Sequence, residues 1–298
     1  MSIKALFDVP APAKLNLFLH ITGQRADGYH LLQSVFMLID WCDTLHFERR
    51  GDGKISRHDL SATLPADDLC LRAARLLQIE AATSLGADIS IVKNLPWGAG
   101  MGGGSSDAAS TLLALNRLWG LNWSLAKLLH LGLKLGADVP FFLGGHNAWV
   151  EGVGEKLTPL TLPSKRFLVV KPAASLETRA VFDDAALVRN TPAATLEGFT
   201  EYGEQALLNG KRLIEFGRND LQPVAEKHCG EVAQAVEWLE AVFGNSRMTG
   251  SGSAVFAELD GKNVELENAA HSAAQGRLPG RWTAKMCRNL QQHPLCDW

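Results

Sequence analysis

The sequence predicts an α+β protein of two domains. Strand-like alternation and helix-like periodicity succeed one another along the chain, with no internal repeat and no low-complexity tract. A proline-rich stretch without periodicity, Thr158-Pro-Leu-Thr-Leu-Pro-Ser164, divides the chain into expected domains 1–160 and 161–298. The 298 residues, 46% of them hydrophobic, are enough for one large core or two of ordinary size.

In order, Ala13-Lys-Leu-Asn-Leu-Phe-Leu-His-Ile21 alternates Lys14, Asn16 and Phe18 with Leu15, Leu17 and Leu19, which reads as a strand. Gly23 to Gly28 reads as a turn. Val35-Phe-Met-Leu-Ile39 and Thr44-Leu-His-Phe-Glu48 read as two further strands, closed by the turn Gly51-Asp-Gly53. Asp67 or Asp68 can cap a helix through 71–77. A strand at 89–92 feeds a glycine-rich loop, and an apolar helical pattern over 106–119 leaves it. A second helix starts at Ser124 and stops at Gly136, before Pro140. Asn147-Ala-Trp-Val-Glu151 is a strand. The second half opens with a buried-strand pattern at Phe167-Leu-Val-Val170, and helices are expected over 177–185, 219–227, 232–242 and 264–275. Residues 247–257 read as a loop entering a strand, and a last strand covers 282–287.

The net charge of −3, without basic blocks interleaved with aromatics, gives no sign of a nucleic-acid partner. No apolar stretch is long enough to span a bilayer, and Met1 to Asp8 lack the apolar core of a signal peptide. The five cysteines are scattered and never spaced as metal ligands, so reduced thiols in the cytoplasm are expected.

The most informative segment is Leu95-Pro-Trp-Gly-Ala-Gly-Met-Gly-Gly-Gly-Ser-Ser-Asp107, in which five of the seven residues over 98–104 are glycine. Glycines let backbone N–H groups converge on a ligand, and the following helix adds free amides and the positive end of its dipole. A strand, a glycine loop and a helix in this order make a phosphate cradle. Gly98-x-Gly100-x-x-Gly103 matches a dinucleotide fingerprint, but no strand ending in an acid follows about 20 residues on. Gly104-Ser-Ser106 lacks the lysine of a Walker A loop, and no His-Arg-Asp or Asp-Phe-Gly element of protein kinases occurs. A third kind of nucleotide loop remains. Ser105 or Ser106 is expected to cap the helix, and a serine hydroxyl here can also meet a phosphate oxygen or Mg²⁺.

Two further residues stand out. Lys14 lies in an otherwise apolar strand, where the plain alternative is a side chain snorkelling to the surface. Asp138, in Leu135-Gly-Ala-Asp-Val-Pro140, has a helix N-cap as its plain alternative.

Together Pro12-Ala-Lys-Leu-Asn16, Arg25-Ala-Asp-Gly-Tyr-His30, the segment Leu95 to Ser106, Leu135 to Pro140, Glu151-Gly-Val-Gly-Glu155 and Met248-Thr-Gly-Ser-Gly-Ser253 resemble the GHMP kinases over nearly the whole chain. Asp-Gly-Tyr-His and Gly-Ala-Asp-Val-Pro resemble most closely the branch acting on a cytidine diphosphate-linked methylerythritol. The resemblance implies the GHMP kinase fold: a ribosomal-protein-S5-like N-terminal α/β domain and a ferredoxin-like C-terminal α+β domain, with the site between them. It implies ATP and Mg²⁺, and phosphorylation of the 2-hydroxyl of that small-molecule substrate in non-mevalonate isoprenoid synthesis. A cytoplasmic monomer or homodimer, with no nucleic-acid or membrane partner, goes with it.

By the same resemblance Lys14 and Asp138 are the catalytic pair. The carboxylate takes the proton of a poorly nucleophilic alcohol, and the lysine stabilises charge on the attacking oxygen. Asn16, Tyr29, His30, Phe36, Thr178 and Phe182 fall on substrate positions. Lys93, Pro96, Trp97, Gly98, Ala99, Gly100, Met101, Gly102, Gly103, Gly104, Ser105 and Ser106 fall on ATP positions, Lys93 at the adenine end, with Ser106 the metal ligand. Asp68 departs from the asparagine that the resemblance implies near the adenine. A sibling kinase of homoserine or mevalonate, or a nucleotide-binding regulator without chemistry, stays open at this stage. Tyr29 and His30 weigh against the first, because small aliphatic substrates offer nothing to stack. The presence of both Lys14 and Asp138 weighs against the second.

Overall fold

The computed structural model describes residues 3–259, 263–276, 278 and 281–298. Its first layer is built on a long antiparallel hairpin. Strand β1 (Ala5–Gln24) pairs with β2 (His30–Arg50) along nearly its whole length. Gly28, at φ +89°, makes the turn between them. One edge of β2 is therefore taken. Its other edge is shared: residues 44–50 pair with β4 (Gly86–Val92), and residues 34–36 pair with β5 (Ala148–Glu151). Strands β3 (Ile55–Asp59) and β6 (Lys156–Pro159) flank these, in the order β3-β4-β2-β5-β6.

In sequence β2 reads as two strands, and the split falls where it changes neighbour. Between its halves stand Asp40 and Asp43, and Asp43 is a fully buried charge that breaks the apolar pattern. Strand β3 has little apolar alternation and lies outside the sequence expectations.

Helices α1 (Leu69–Glu80) and α2 (Gly103–Leu118) pack on this sheet, and α3 (Leu125–Leu133) and α4 (Val139–Gly144) pack on α2 and on each other. Asp68 caps α1, accepting from Leu71 N at 3.0 Å. Helix α2 is buried on most of its circumference, and Leu112 and Leu115 pack with Phe47, Ile89, Ile91 and Phe141. A helix buried on this much of its circumference must sit inside a core, and Ser110 and Thr111 meet that burial by donating to Pro10 O and Asp107 O.

The second layer is a four-stranded antiparallel sheet, β10-β7-β9-β8, of β7 (Arg166–Lys171), β8 (Arg247–Met248), β9 (Val255–Leu259) and β10 (Thr283–Arg288). With it go α5 (Thr178–Asp183), α6 (Leu196–Asn209), α7 (Gln222–His228), α8 (Gly230–Phe243) and α9 (Val264–Ala274). Val232, Leu239 and Phe243 of α8 bury against Leu168, Val170, Val255 and Ala257. Helix α6 escapes the sequence patterns because Gly198 and Gly203 interrupt it and only Phe199 and Ala206 are buried. Thr195 starts it by accepting from Gly198 N.

A third apolar cluster joins the layers. Leu15, Leu17 and Met37 of the hairpin pack with Phe167, Val169 and Phe256, and with Ala99 and Met101 of the glycine loop. The chain ends by returning to the first layer: Leu290 N bonds to Leu38 O, His293 N bonds to Gly145 O, and Leu295 is buried in the first core. Among the described residues no helix is long and apolar enough to cross a membrane.

Candidate active site

The glycine loop is held from three sides. Gly98, Gly100 and Gly102 take φ of +59°, +72° and +72°, so alternate residues turn left-handed. This alternation drives Ala99 and Met101 into the apolar seam, where both are buried. Lys14 N bonds to Met101 O, Ser253 N to Gly98 O and Ala254 N to Ala99 O. The loop is thereby pinned to β1 and to the turn after β8.

Helix α2 begins earlier than its sequence implies. Gly102 occupies the N-cap, with no side-chain cap, so neither Ser105 nor Ser106 is the cap expected of them. Both lie in the first turn, because three glycines already supply the left-handed entry. Ser106 N is the amide bonded back to Gly102 O, which leaves Gly103, Gly104 and Ser105 amides without an intrahelical partner. The Ser106 Oγ is buried and has no hydrogen-bond partner among the described residues.

A cavity of about 410 Å³ opens over this helix end, lined by residues 95–105 and by Asp67, Asp68, Leu69, Arg72 and Lys93. Pro96 to Ser105 and Lys93 thus meet at one concave surface. Asp68, however, is committed to capping α1 and to Arg57 at 2.8 Å. The Lys93 ammonium is committed too, between Asp43 and Asp107, with 2.6 Å to the latter. Burial disfavours this ammonium, but the two carboxylates outweigh it and raise its pKa. Burial likewise pushes the Asp107 carboxyl up, reinforced by Asp43 and opposed by Lys93. Asp43 also accepts from the amides of Asn94 and Leu95, at 2.6 and 2.8 Å. The three side chains therefore clamp the loop entry to the first turn of α2.

A second cavity, of about 860 Å³, lies between the layers. It brings together Lys14, Asn16, Tyr29, His30, Phe36, Asp138, Thr178 and Phe182. Gly100 and Gly102 line both cavities, so the two meet at the tip of the loop. Lys14 is 4% exposed, so it does not snorkel. Its Nζ donates to Asn16 Oδ1 at 2.5 Å, stands 3.9 Å from Asp138 Oδ2 and lies 4.3 Å from the centre of the Phe36 ring. Burial lowers the pKa of this ammonium, and Asp138 opposes the shift. Asp138 holds the N-cap position of α4 but bonds to no amide there, which leaves its carboxylate available to the cavity.

Tyr29 is 64% exposed on the hairpin turn. The His30 ring stands 5.2 Å from that of Phe182. Thr178 Oγ1 and Ser251 Oγ are 2.8 Å apart, tying α5 to the turn after β8. In that turn Thr249 Oγ1 accepts from Asn16 N and donates to Asn16 Oδ1.

The sequence reading missed three residues that shape the site. Asp43 belongs to the clamp under the loop. Asn219 Nδ2 holds the carbonyls of Met248 and Gly250, at 2.7 and 2.8 Å. Arg189 donates to His30 Nε2 at 3.0 Å. Neither Asn219 nor Arg189 stands in a recognisable motif.

Residues 68–146 match the model of the GHMP kinases N terminal domain, and residues 204–275 match that of the GHMP kinases C terminal. The chain is 62% identical over 298 residues to the 4-diphosphocytidyl-2-C-methyl-D-erythritol kinase of Methylibium petroleiphilum, covering 100% of this chain and 99% of that one. The chain belongs to the GHMP kinase family. A second relative of the same name, from Variovorax paradoxus, is 56% identical, covering 99% of each chain. A crystal structure of a 4-(cytidine 5'-diphospho)-2C-methyl-D-erythritol kinase superposes with a TM-score of 0.77 at 34% identity, over 93% of this chain and 98% of that one. The mevalonate kinase of L. major, crystallised with R-mevalonate, superposes at 0.71 with 15% identity over 98% of both chains and shares the fold. This GHMP kinase is an ATP-dependent enzyme with the N- and C-terminal domains of the family.

Proposed function

We infer that this GHMP kinase transfers the γ-phosphoryl group of ATP to the 2-hydroxyl of 4-diphosphocytidyl-2-C-methyl-D-erythritol, giving the 2-phosphate and ADP, a step of isoprenoid precursor synthesis. One observation carries the reading: the phosphate-cradle cavity and the cavity holding Lys14 and Asp138 meet at Gly100 and Gly102. A phosphoryl group held by free amides at the start of α2 is then next to an acceptor held beside the Lys14–Asp138 pair. Tyr29, His30 and Phe182 give the acceptor cavity ring faces and an imidazole, which suit a cytosine and offer nothing specific to an aliphatic acid.

In this reading Asp138 accepts the proton of the acceptor hydroxyl as the O–P bond forms. Lys14, held by Asn16, stabilises the charge on the attacking oxygen. The amides at the loop and helix start hold the nucleotide phosphates, and positioning supplies much of the acceleration. The Ser106 hydroxyl, buried and without a partner among the described residues, is the group of this chain that would meet a Mg²⁺ ion. Such an ion would offset the negative charge of the nucleotide phosphates.

A panel of the cytidyl compound, mevalonate and homoserine, followed by ADP release with and without added Mg²⁺, tests the assignment. Turnover of the cytidyl compound alone is expected. Turnover of mevalonate without the cytidyl compound overturns it in favour of a sibling kinase, and ATP binding without any transfer favours a regulator.

A further inference from the structure

Arg189 lies in the irregular segment after α5, with no motif around it. All three of its nitrogens donate. Nε donates to His30 Nε2 at 3.0 Å. One terminal amine donates to Leu187 O at 3.0 Å, and the other to Phe182 O and Asp184 O at 3.0 and 2.9 Å. A guanidinium has N–H donors and no acceptor, so the His30 nitrogen it meets must carry a lone pair. The ring proton therefore sits on Nδ1, which makes no hydrogen bond among the described residues. Burial, and then the charge of Arg189, lower the pKa of His30, and Asp183 opposes them.

The same guanidinium grips the backbone of Phe182, whose ring stands 5.2 Å from that of His30. Residues 30 and 182 come from opposite layers of the molecule, and Arg189 holds both.

We propose that Arg189 is a positioning residue for nucleobase recognition. It fixes His30 as a neutral imidazole with its donor at Nδ1, and locks the distance between that ring and Phe182. A donor of fixed tautomer selects a ring that presents an acceptor, such as the carbonyl or unprotonated ring nitrogen of a cytosine. A freely exchanging tautomer loses that discrimination. The proposal rests on the reading that this cavity holds the cytosine of the substrate.

Its first test needs no substrate. In the full chain labelled with ¹⁵N-histidine, the His30 ring is expected to show a protonated Nδ1 and a bare Nε2 at neutral pH. Arg189→Leu is expected to return that resonance to an exchanging mixture. A protonated Nε2 in the unmodified protein overturns the proposal, whatever the substrate proves to be.

The second test is kinetic. Arg189→Leu is expected to raise KM for the cytidyl substrate about tenfold, because it frees both the His30 ring and the Phe182 backbone, with a much smaller change in kcat and in KM for ATP. Arg189→Lys, which keeps one donor to His30, is expected to recover part of the loss. An unchanged KM for the cytidyl substrate in a folded Arg189→Leu protein overturns the proposal. If the unmodified enzyme turns over no cytidyl substrate, the reading of the site fails, while the ring tautomer still reports on Arg189 by itself.

Discussion

The Nζ of Lys14 stands 3.9 Å from Oδ2 of Asp138, too far for a direct hydrogen bond, and gives its close contact to Asn16 instead. The lysine is thereby fixed by a neutral partner on its own strand. The aspartate, 32% exposed at its side chain, is left free to take a proton. A hydroxyl entering the cavity can touch both groups. That is the geometry a base and a charge stabiliser need when they act on one oxygen.

Asp138→Asn is expected to lower kcat by about 10²–10⁴-fold, the usual worth of a general base, with KM for ATP nearly unchanged. The side chain caps no amide of α4, so the melting temperature should stay within a degree or two of the unmodified protein. Steady-state kinetics with the cytidyl substrate, together with a thermal melt, check both statements. A near-normal rate in the folded variant removes Asp138 from the mechanism.

The alkaline side of the pH–rate profile reports on Lys14. Charge stabilisation needs the ammonium, so the rate falls as pH rises through the lysine pKa. Burial places that pKa below the ordinary lysine value of about 10.4, and the negative charge of Asp138 works against the shift. The alkaline fall is therefore expected at lower pH than an exposed lysine would give. In Asp138→Asn, which lacks the opposing charge, the fall in the residual rate should move lower still. A limb that stays in place in that variant would separate the two residues electrostatically.

Much of this site was legible because its signals are local. The glycine alternation, the lysine in an apolar strand and the Asp-Gly-Tyr-His turn each lie within a few residues. What stayed hidden depends on partners far along the chain. Asp43 meets Lys93 from 50 residues away, Arg189 meets His30 across 159, and Asn219 reaches the turn at 248–250. A buried charge looks like a strand interruption until its partner is known, which is why β2 reads as two strands. Ser105 or Ser106 reads as the cap of α2, but a glycine N-cap makes a serine one unnecessary, and no propensity rule separates the two.

Lys93 shows the same effect at the nucleotide end. Resemblance places it near the adenine, yet its ammonium is held between Asp43 and Asp107. Lys93→Met leaves two carboxylates buried beside each other with no cation. Breaking a buried pair in this way costs about 3–5 kcal/mol. The variant is expected to lose about that much stability in denaturant unfolding and to bind ATP weakly as the loop loosens. If instead KM for ATP rises while stability is unchanged, Lys93 serves the nucleotide and not the clamp.

The glycines of the loop are not equivalent, and substitution by alanine should rank them. At Gly100, φ is +72° and a Cβ would run into the carbonyl of Thr249, with Gly252 N only 3.0 Å away. Both contacts are backbone, so neither can step aside without parting the loop from the turn after β8. Gly104 lies inside α2 at ordinary helical φ, and its nearest neighbour to a Cβ is Leu69 Cδ1 at 3.6 Å, an ordinary van der Waals contact. Gly100→Ala is expected to lower stability by more than the roughly 1–2 kcal/mol of left-handed strain alone. Gly104→Ala is expected to be neutral or slightly stabilising, because alanine is favoured over glycine within a helix by roughly 0.5–1 kcal/mol. Denaturant unfolding of the two variants side by side checks the order. Equal losses would mean that the loop is not anchored through Gly100 to the C-terminal domain.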